Sequence, residues 1–121
     1  MAKKKGAAAP AEKVALYEKL VATNPRVQRK GDSLPYTAVN GNMFSLLTPS
    51  GTLALRLPKD ERQAFLKKYK TKLTEQYGAV MKEYVDVPDS LLEKTSELRK
   101  YFDASYKYVS ALKPKPSSQK G

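Results

Sequence analysis

Between Tyr36 and Leu57 the chain divides into three short apolar runs separated by two turn signals. Asn40-Gly41 stands between the first two runs. That pair takes positive φ readily, as a type I′ turn requires, so Tyr36–Val39 and Asn42–Leu47 are predicted to form a hairpin. Thr48, Pro49, Ser50 and Gly51 mark a second turn, with Pro pre-setting φ and Gly allowing a left-handed residue. The third run, Thr52 to Leu57, alternates. Leu53, Leu55 and Leu57 share one face, and Thr52, Ala54 and Arg56 the other, as in a half-buried antiparallel strand. A three-stranded meander needs cover for its apolar face.

The remaining pattern supplies that cover. Pro10 suits a first helical position. From Ala11 to about Ala22, Val14, Tyr17 and Val21 fall on one helical face with Leu16 and Leu20 beside them. Asn24 and Pro25 end this helix. Arg26 to Lys30 reads as a short edge strand around Val27, and Gly31 to Pro35 as loop. Pro58, Asp60 and Glu61 open a second helix, with acids where the helix dipole favours them. Leu66, Tyr69, Leu73 and Tyr77 are spaced 3, 4 and 4. That stripe allows a helix to Tyr77, or a helix to about Lys70 and then a loop to Gly78; the shorter helix is adopted here. Ala79 to Val87 is rich in β-branched and aromatic residues and reads as a further strand. Pro88 and Asp89 start a short helix holding Leu91 and Leu92. Thr95 or Ser96 is the expected N-cap of the last helix. Its stripe is Leu98, Phe102, Tyr106, Val109 and Leu112, flanked by Tyr101 and Tyr108. The expected fold is α+β: an antiparallel sheet of about four to five strands, covered on one face by helices, with the N- and C-terminal helices packed together. Residues 1–9 and 113–121 are expected as disordered basic tails around a domain at 10–112.

A chain of 121 residues, 40% of them hydrophobic, accommodates one domain with a modest core. It has no cysteine and no histidine. Disulfides, thiolate chemistry, the usual nucleophile–base pairs and the common zinc or iron ligand sets therefore have no residues to build them. No apolar run is long enough for a membrane span or a signal-peptide core, so a cytoplasmic protein without a membrane partner is expected. Net charge is +11. Lys3, Lys4 and Lys5 at one end, and Lys113, Lys115 and Lys120 at the other, have no acid among them. The stretch between holds seventeen bases against twelve acids, or +5. A surplus of this kind concentrates polyanions; short lysine tails also simply aid solubility.

Candidate chemistry is sparse. Glu83, Asp86 and Asp89 are spaced so that two carboxylates could approach a hard cation. The simpler reading is that Asp86 and Asp89 cap the helix begun at Pro88. No catalytic, metal-binding or cofactor-binding residue is assigned, and no cofactor is expected. Lys67, Lys68, Lys70 and Lys72 form the densest internal basic cluster, with Tyr69 among them. They read either as phosphate contacts or as a solvated helix face with Tyr69 turned inward. The candidate nucleic-acid contacts are thus Lys3, Lys4, Lys5, Lys67, Lys68, Lys70, Lys72, Lys113 and Lys115. Tyr17, Tyr69, Tyr101 and Tyr106 follow helical periods and are expected in or beside the core. Tyr36 and Tyr84 are candidates for an open sheet face.

These residues carry a family resemblance. Asn40-Gly41-Asn42-Met43 on a hairpin resembles part of the N-terminal domain of the TfoX/Sxy family. So does the strand Leu53-Ala54-Leu55-Arg56-Leu57 with an acidic helix after it. Met81-Lys82-Glu83-Tyr84-Val85, followed by Val87-Pro88, resembles the family's Met-strand leading into its closing helices. The order holds over Tyr36 to Leu112. The resemblance implies a small α+β domain similar to secretion chaperones. It also implies a non-enzymatic binding or regulatory role, with a protein partner or weak nucleic-acid binding, as a monomer or homodimer. Other functions left open are a chaperone-like homodimer and a small-molecule or enzymatic domain with an unrecognised site. Two departures stand out. The family's Met-Phe-Gly motif is missing from Lys30–Pro35, and the chain has no room for the C-terminal domain of the full competence regulator.

Overall fold

The computed structural model describes residues 9–31, 34–76 and 78–113. In chain order the elements are α1 (Ala11–Val21), β1 (Tyr36–Val39), β2 (Asn42–Leu47), β3 (Leu53–Arg56), α2 (Lys59–Tyr69), β4 (Leu73–Gln76), β5 (Ala79–Val87), α3 (Asp89–Leu92) and α4 (Thr95–Ser110). The strands form one antiparallel sheet in the order β1-β2-β3-β5-β4. The helices cover one face, with α1 packed on α4.

The hairpin turn lies where the Asn-Gly pair places it. Asn40 and Gly41 have φ of 55° and 78°, and Val39 pairs with Asn42. Gly51, at φ 90°, is required for a second reason. A Cβ there would lie 2.9 Å from Lys13 Cγ and 3.2 Å from the Pro10 ring, so the β2–β3 turn can pack against the start of α1 only without a side chain.

One row of side chains crosses the whole sheet: Thr37, Ser45, Leu55, Val85 and Leu73 are successive cross-strand partners. Leu47, Leu53 and Val87 form the next row, and all three are buried. A β-bulge adds Phe44 to this face. As β1 advances from Thr37 to Ala38, β2 advances from Ser45 to Met43, so Phe44 is the extra residue. A bulge can turn both of its residues toward one side, which accounts for Phe44 and Ser45 both being fully buried. The Phe44 ring meets Phe102 of α4 at 5.5 Å and Tyr106 at 5.9 Å. The bulge carbonyls are taken by side chains. Ser105 of α4 donates to the Phe44 carbonyl, and Tyr84 of β5 reaches past β3 to donate to the Met43 carbonyl. Beneath the helices, Tyr17, Ser45 and Thr37 join their hydroxyls in a buried chain. Burial pushes the Tyr17 phenol up to about 12.

Four expectations are corrected. Arg26–Lys30 is not a strand. Asn24 folds that segment into a turn, its side chain accepting from the Arg26 N–H and its carbonyl from that of Val27, and pairing is limited to a bridge between Lys30 and Tyr36. Leu73–Gln76 is a strand rather than a loop. Lys70 takes the left-handed conformation and stops α2, and the next residues turn back onto β5. Lys94, not Thr95 or Ser96, occupies the N-cap of α4, and no side chain caps that end. The fully buried stripe of α4 is Leu98, Phe102, Ser105 and Val109, with Tyr106 and Leu112 half-buried. Ser105 is there because it serves the bulge. Lys3, Lys4, Lys5 and Lys115, and the expected disorder of both tails beyond Ala9 and Lys113, fall outside the described residues.

Candidate nucleic-acid interface

The exposed lysines of α2 are a by-product of how the helix is anchored. Phe65 is its buried residue and stands edge-on to Tyr101 of α4 at 5.0 Å. One turn on, Tyr69 packs 4.7 Å from Phe65 and donates its hydroxyl to Glu97. Residues 65 and 69 share a face, so Lys67 and Lys68 are turned outward. Of the expected stripe, Leu66, Tyr69 and Leu73 are half-buried against the core, and Tyr77 lies outside the described residues. At the C-cap, Lys70 has φ 51° and ψ 49° and its N–H returns to the Leu66 carbonyl. Thr71 then bonds the Asp86 carbonyl, and the Asp86 N–H bonds the Lys72 carbonyl, fixing this turn to β5.

Lys67, Lys68, Lys70 and Lys72 are all exposed, and none forms an ion pair with a described residue. Lys68 lies over the Tyr69 ring at 5.3 Å. The neighbourhood extends to α4. The hydrogen bond from Tyr69 holds the Glu97 carboxyl below its ordinary range, opposed by burial and assisted by Lys94, Lys68 and Lys100. Burial first, then the bonds to Glu97 and Tyr101, push the Tyr69 phenol far up. No local sequence signal marks Lys94 and Lys100. Lys94 stands at the N-cap of α4 and Lys100 on the helix, and both act on Glu97, the acceptor of the Tyr69 hydroxyl.

Lys113 lies elsewhere. Its carbonyl accepts from Asn42 at the β1–β2 turn, toward the opposite edge of the sheet from β4. The structure therefore separates it from the α2 cluster. Tyr84, a candidate for an open face, is buried and committed to Met43.

The three carboxylates considered for a cation have separate partners. Burial works to raise the pKa of Glu83, but the hydrogen bond and charge of Arg56 outweigh it and hold the group low. Their contact is 2.7 Å, and Tyr108 also donates to Glu83. Asp86 accepts from Thr74 and Asp89 pairs with Lys13. Asp86 and Asp89 are not side-chain caps of α3 either; its start at Pro88 has none. Among the described residues, no His, Cys, Asp and Glu group of three or more could hold a metal ion. A depression of about 220 Å³ between the end of α1 and α4 is lined by Arg26, Asp103, Tyr106 and Lys107. Its opposed charges define no single ligand sign.

Residues 35–109 match the TfoX N-terminal domain. The chain belongs to that family. The match opens at Pro35, the last residue of the segment from which the Met-Phe-Gly motif is missing, and covers the whole sheet and almost all of α4. At the family level this TfoX N-terminal domain is a binding or regulatory module, and the family is not known for enzymes. No curated protein and no solved structure matches the chain. Among the described residues, no helix is long and apolar enough to cross a membrane.

Proposed function

We propose that this TfoX N-terminal domain is a non-enzymatic regulatory module that holds nucleic acid weakly by its phosphate backbone. The observation that carries this is the group of exposed lysines where α2 ends, none paired with a described acid: Lys67, Lys68, Lys70 and Lys72. Ammonium groups that pair with no acid can replace the condensed counterions of a polyanion, and released counterions drive association. A protein partner would be engaged alongside; the nucleic-acid contact supplies affinity without sequence choice, since phosphate contacts carry no base information.

Fluorescence anisotropy of the full chain with a labelled duplex, at low and at physiological salt, tests this. Dissociation constants on the order of 10⁻⁴–10⁻⁶ M near physiological salt, tightening steeply at low salt, are expected. Absence of binding at low salt, or binding indifferent to salt, overturns it. A pull-down from cell extract with and without nuclease separates a protein partner held directly from one bridged by nucleic acid.

A further inference from the structure

A hydrogen bond of 2.5 Å from Tyr69 to Glu97 joins the end of α2 to the first turn of α4. An acid suits that turn, because the helix dipole favours negative charge there. The phenol fixes where the carboxylate points. The Tyr101 hydroxyl, one turn further along α4, stands 3.3 Å from that of Tyr69.

Lysines surround this carboxylate. Lys94 and Lys100 lie three residues before and three residues after Glu97, and residues three apart on a helix are surface neighbours. Lys68 precedes Tyr69, and its ammonium lies 5.3 Å from the centre of the Tyr69 ring. After the Tyr69 bond, the charges of Lys94, Lys68 and Lys100 hold the Glu97 carboxyl low, so all three reach it electrostatically. All three are exposed, and none forms an ion pair with a described residue. Lys100 also lines a depression together with Pro58 and Glu61 at the start of α2, which places it on the side of α4 that faces α2. Lys94 and Lys100 are about 9 Å apart along the helix. The same length of one DNA strand carries about three phosphates.

We propose that the phosphate-binding surface crosses from the end of α2 onto the start of α4, with Lys94 and Lys100 as further contacts and Glu97 as a built-in counterion that limits its hold. The proposal rests on the nucleic-acid reading above and adds the residues that set its strength. Three cations with one anion fixed among them leave a surplus of two charges. The carboxylate repels an incoming phosphate, and the Tyr69 bond keeps it from turning aside. Glu61 and Asp103 line the depression beside Lys100, so acids bound the surface on that side.

The test uses the full chain and a labelled DNA duplex. Lys94→Gln combined with Lys100→Gln is expected to lower the slope of log K against log salt by about 1.8, at about 0.9 for each contact. Arg26→Gln combined with Lys30→Gln makes the same change of charge at exposed positions before β1, and is expected to lower the slope by less than about 0.5. Glu97→Gln keeps an oxygen for the Tyr69 hydroxyl and removes the charge. At about 0.1 M salt it is expected to tighten binding about three- to sixfold, the effect of one unit charge about 4–7 Å away in water. Glu12→Gln, the same change on α1, is expected to alter binding less than about twofold, since long-range charge is largely screened at that salt. Circular dichroism spectra establish that each variant is folded. Equal slopes in the two double variants, or equal effects of Glu97→Gln and Glu12→Gln, overturn the crossing while leaving the α2 lysines in place. Absence of any wild-type binding at low salt overturns both.

Discussion

The side-chain amide of Asn40 donates to the carbonyl of Ser110, the last residue of α4, at 3.1 Å and seventy residues away in sequence. Asn42 makes the equivalent contact to the Lys113 carbonyl at 3.0 Å. The residues that shape the β1–β2 turn therefore also serve the Ser110 carbonyl, one of those a helix leaves unsatisfied at its end, and the Lys113 carbonyl in the segment just beyond it. Turn and helix end are stabilised together.

These two roles separate by substitution. Asn40→Gly keeps the left-handed backbone and removes the amide, so it should cost about 0.5–1 kcal/mol, the worth of an exposed hydrogen bond. Asn40→Ala removes the amide too but leaves a Cβ at φ 55° without the short polar side chain that lets Asn tolerate that region, and should cost about 1 kcal/mol more. Gly41→Val, with a β-branched residue at φ 78°, should be the most damaging. Urea denaturation midpoints give the order. Equal losses for Asn40→Gly and Asn40→Ala would mean that the backbone strain is not felt there.

The bulge gives a second prediction. Phe102→Ala removes a fully buried ring packed on Phe44 and should cost about 3–5 kcal/mol. Ser105→Ala removes less volume but strands the Phe44 carbonyl, at about 1–3 kcal/mol. If Ser105→Ala is neutral in a denaturation curve, the bulge carbonyl is satisfied without it.

The same residues mark what a reader of the sequence can see. The Asn-Gly turn, the alternation in Leu53–Leu57 and the β-branched run at Ala79–Val87 are local signals, and their strands lie where those signals put them. The bulge is not local. Nothing in Phe44-Ser45 shows that both residues point to one face, so the sequence pattern favours Tyr106 over Ser105 in the stripe of α4. Leu73 and Tyr77 continue a helical spacing from Leu66, which conceals β4; the left-handed turn at Lys70 overrides that spacing, and lysine gives no warning of it. At the candidate site the lysines of α2 are legible as a cluster because they are contiguous. Lys94 and Lys100 are tied to it only through Glu97, which accepts from Tyr69 across the packing of α2 on α4.

Alkaline pH should unfold the protein through its tyrosines. Tyr17 titrates at about 12 in the folded chain against 10.0 ordinarily. A phenol raised on folding contributes stability that is complete below about pH 10 and is lost as pH climbs toward about 12. Two units correspond to about 2.7 kcal/mol. Burial also raises Tyr69, Tyr84 and Tyr108, so they act in the same direction. Tyr17→Phe should lose less stability than the wild type between about pH 9.5 and about pH 12, as denaturation midpoints across that range will show. Parallel pH profiles for the two proteins would place Tyr17 in contact with solvent.

Nucleic-acid binding at the end of α2 is tested most directly by the salt slope of a charge-neutralised variant. Lys67→Gln, Lys68→Gln, Lys70→Gln and Lys72→Gln are combined in the full chain, and anisotropy with a labelled duplex is followed across salt concentrations. If these side chains touch phosphates, the slope of log K against log salt should fall by about 3–4 relative to wild type, since each ammonium–phosphate pair accounts for about 0.9. A slope unchanged in the variant, with both proteins folded, would contradict the account and place any polyanion binding outside this cluster.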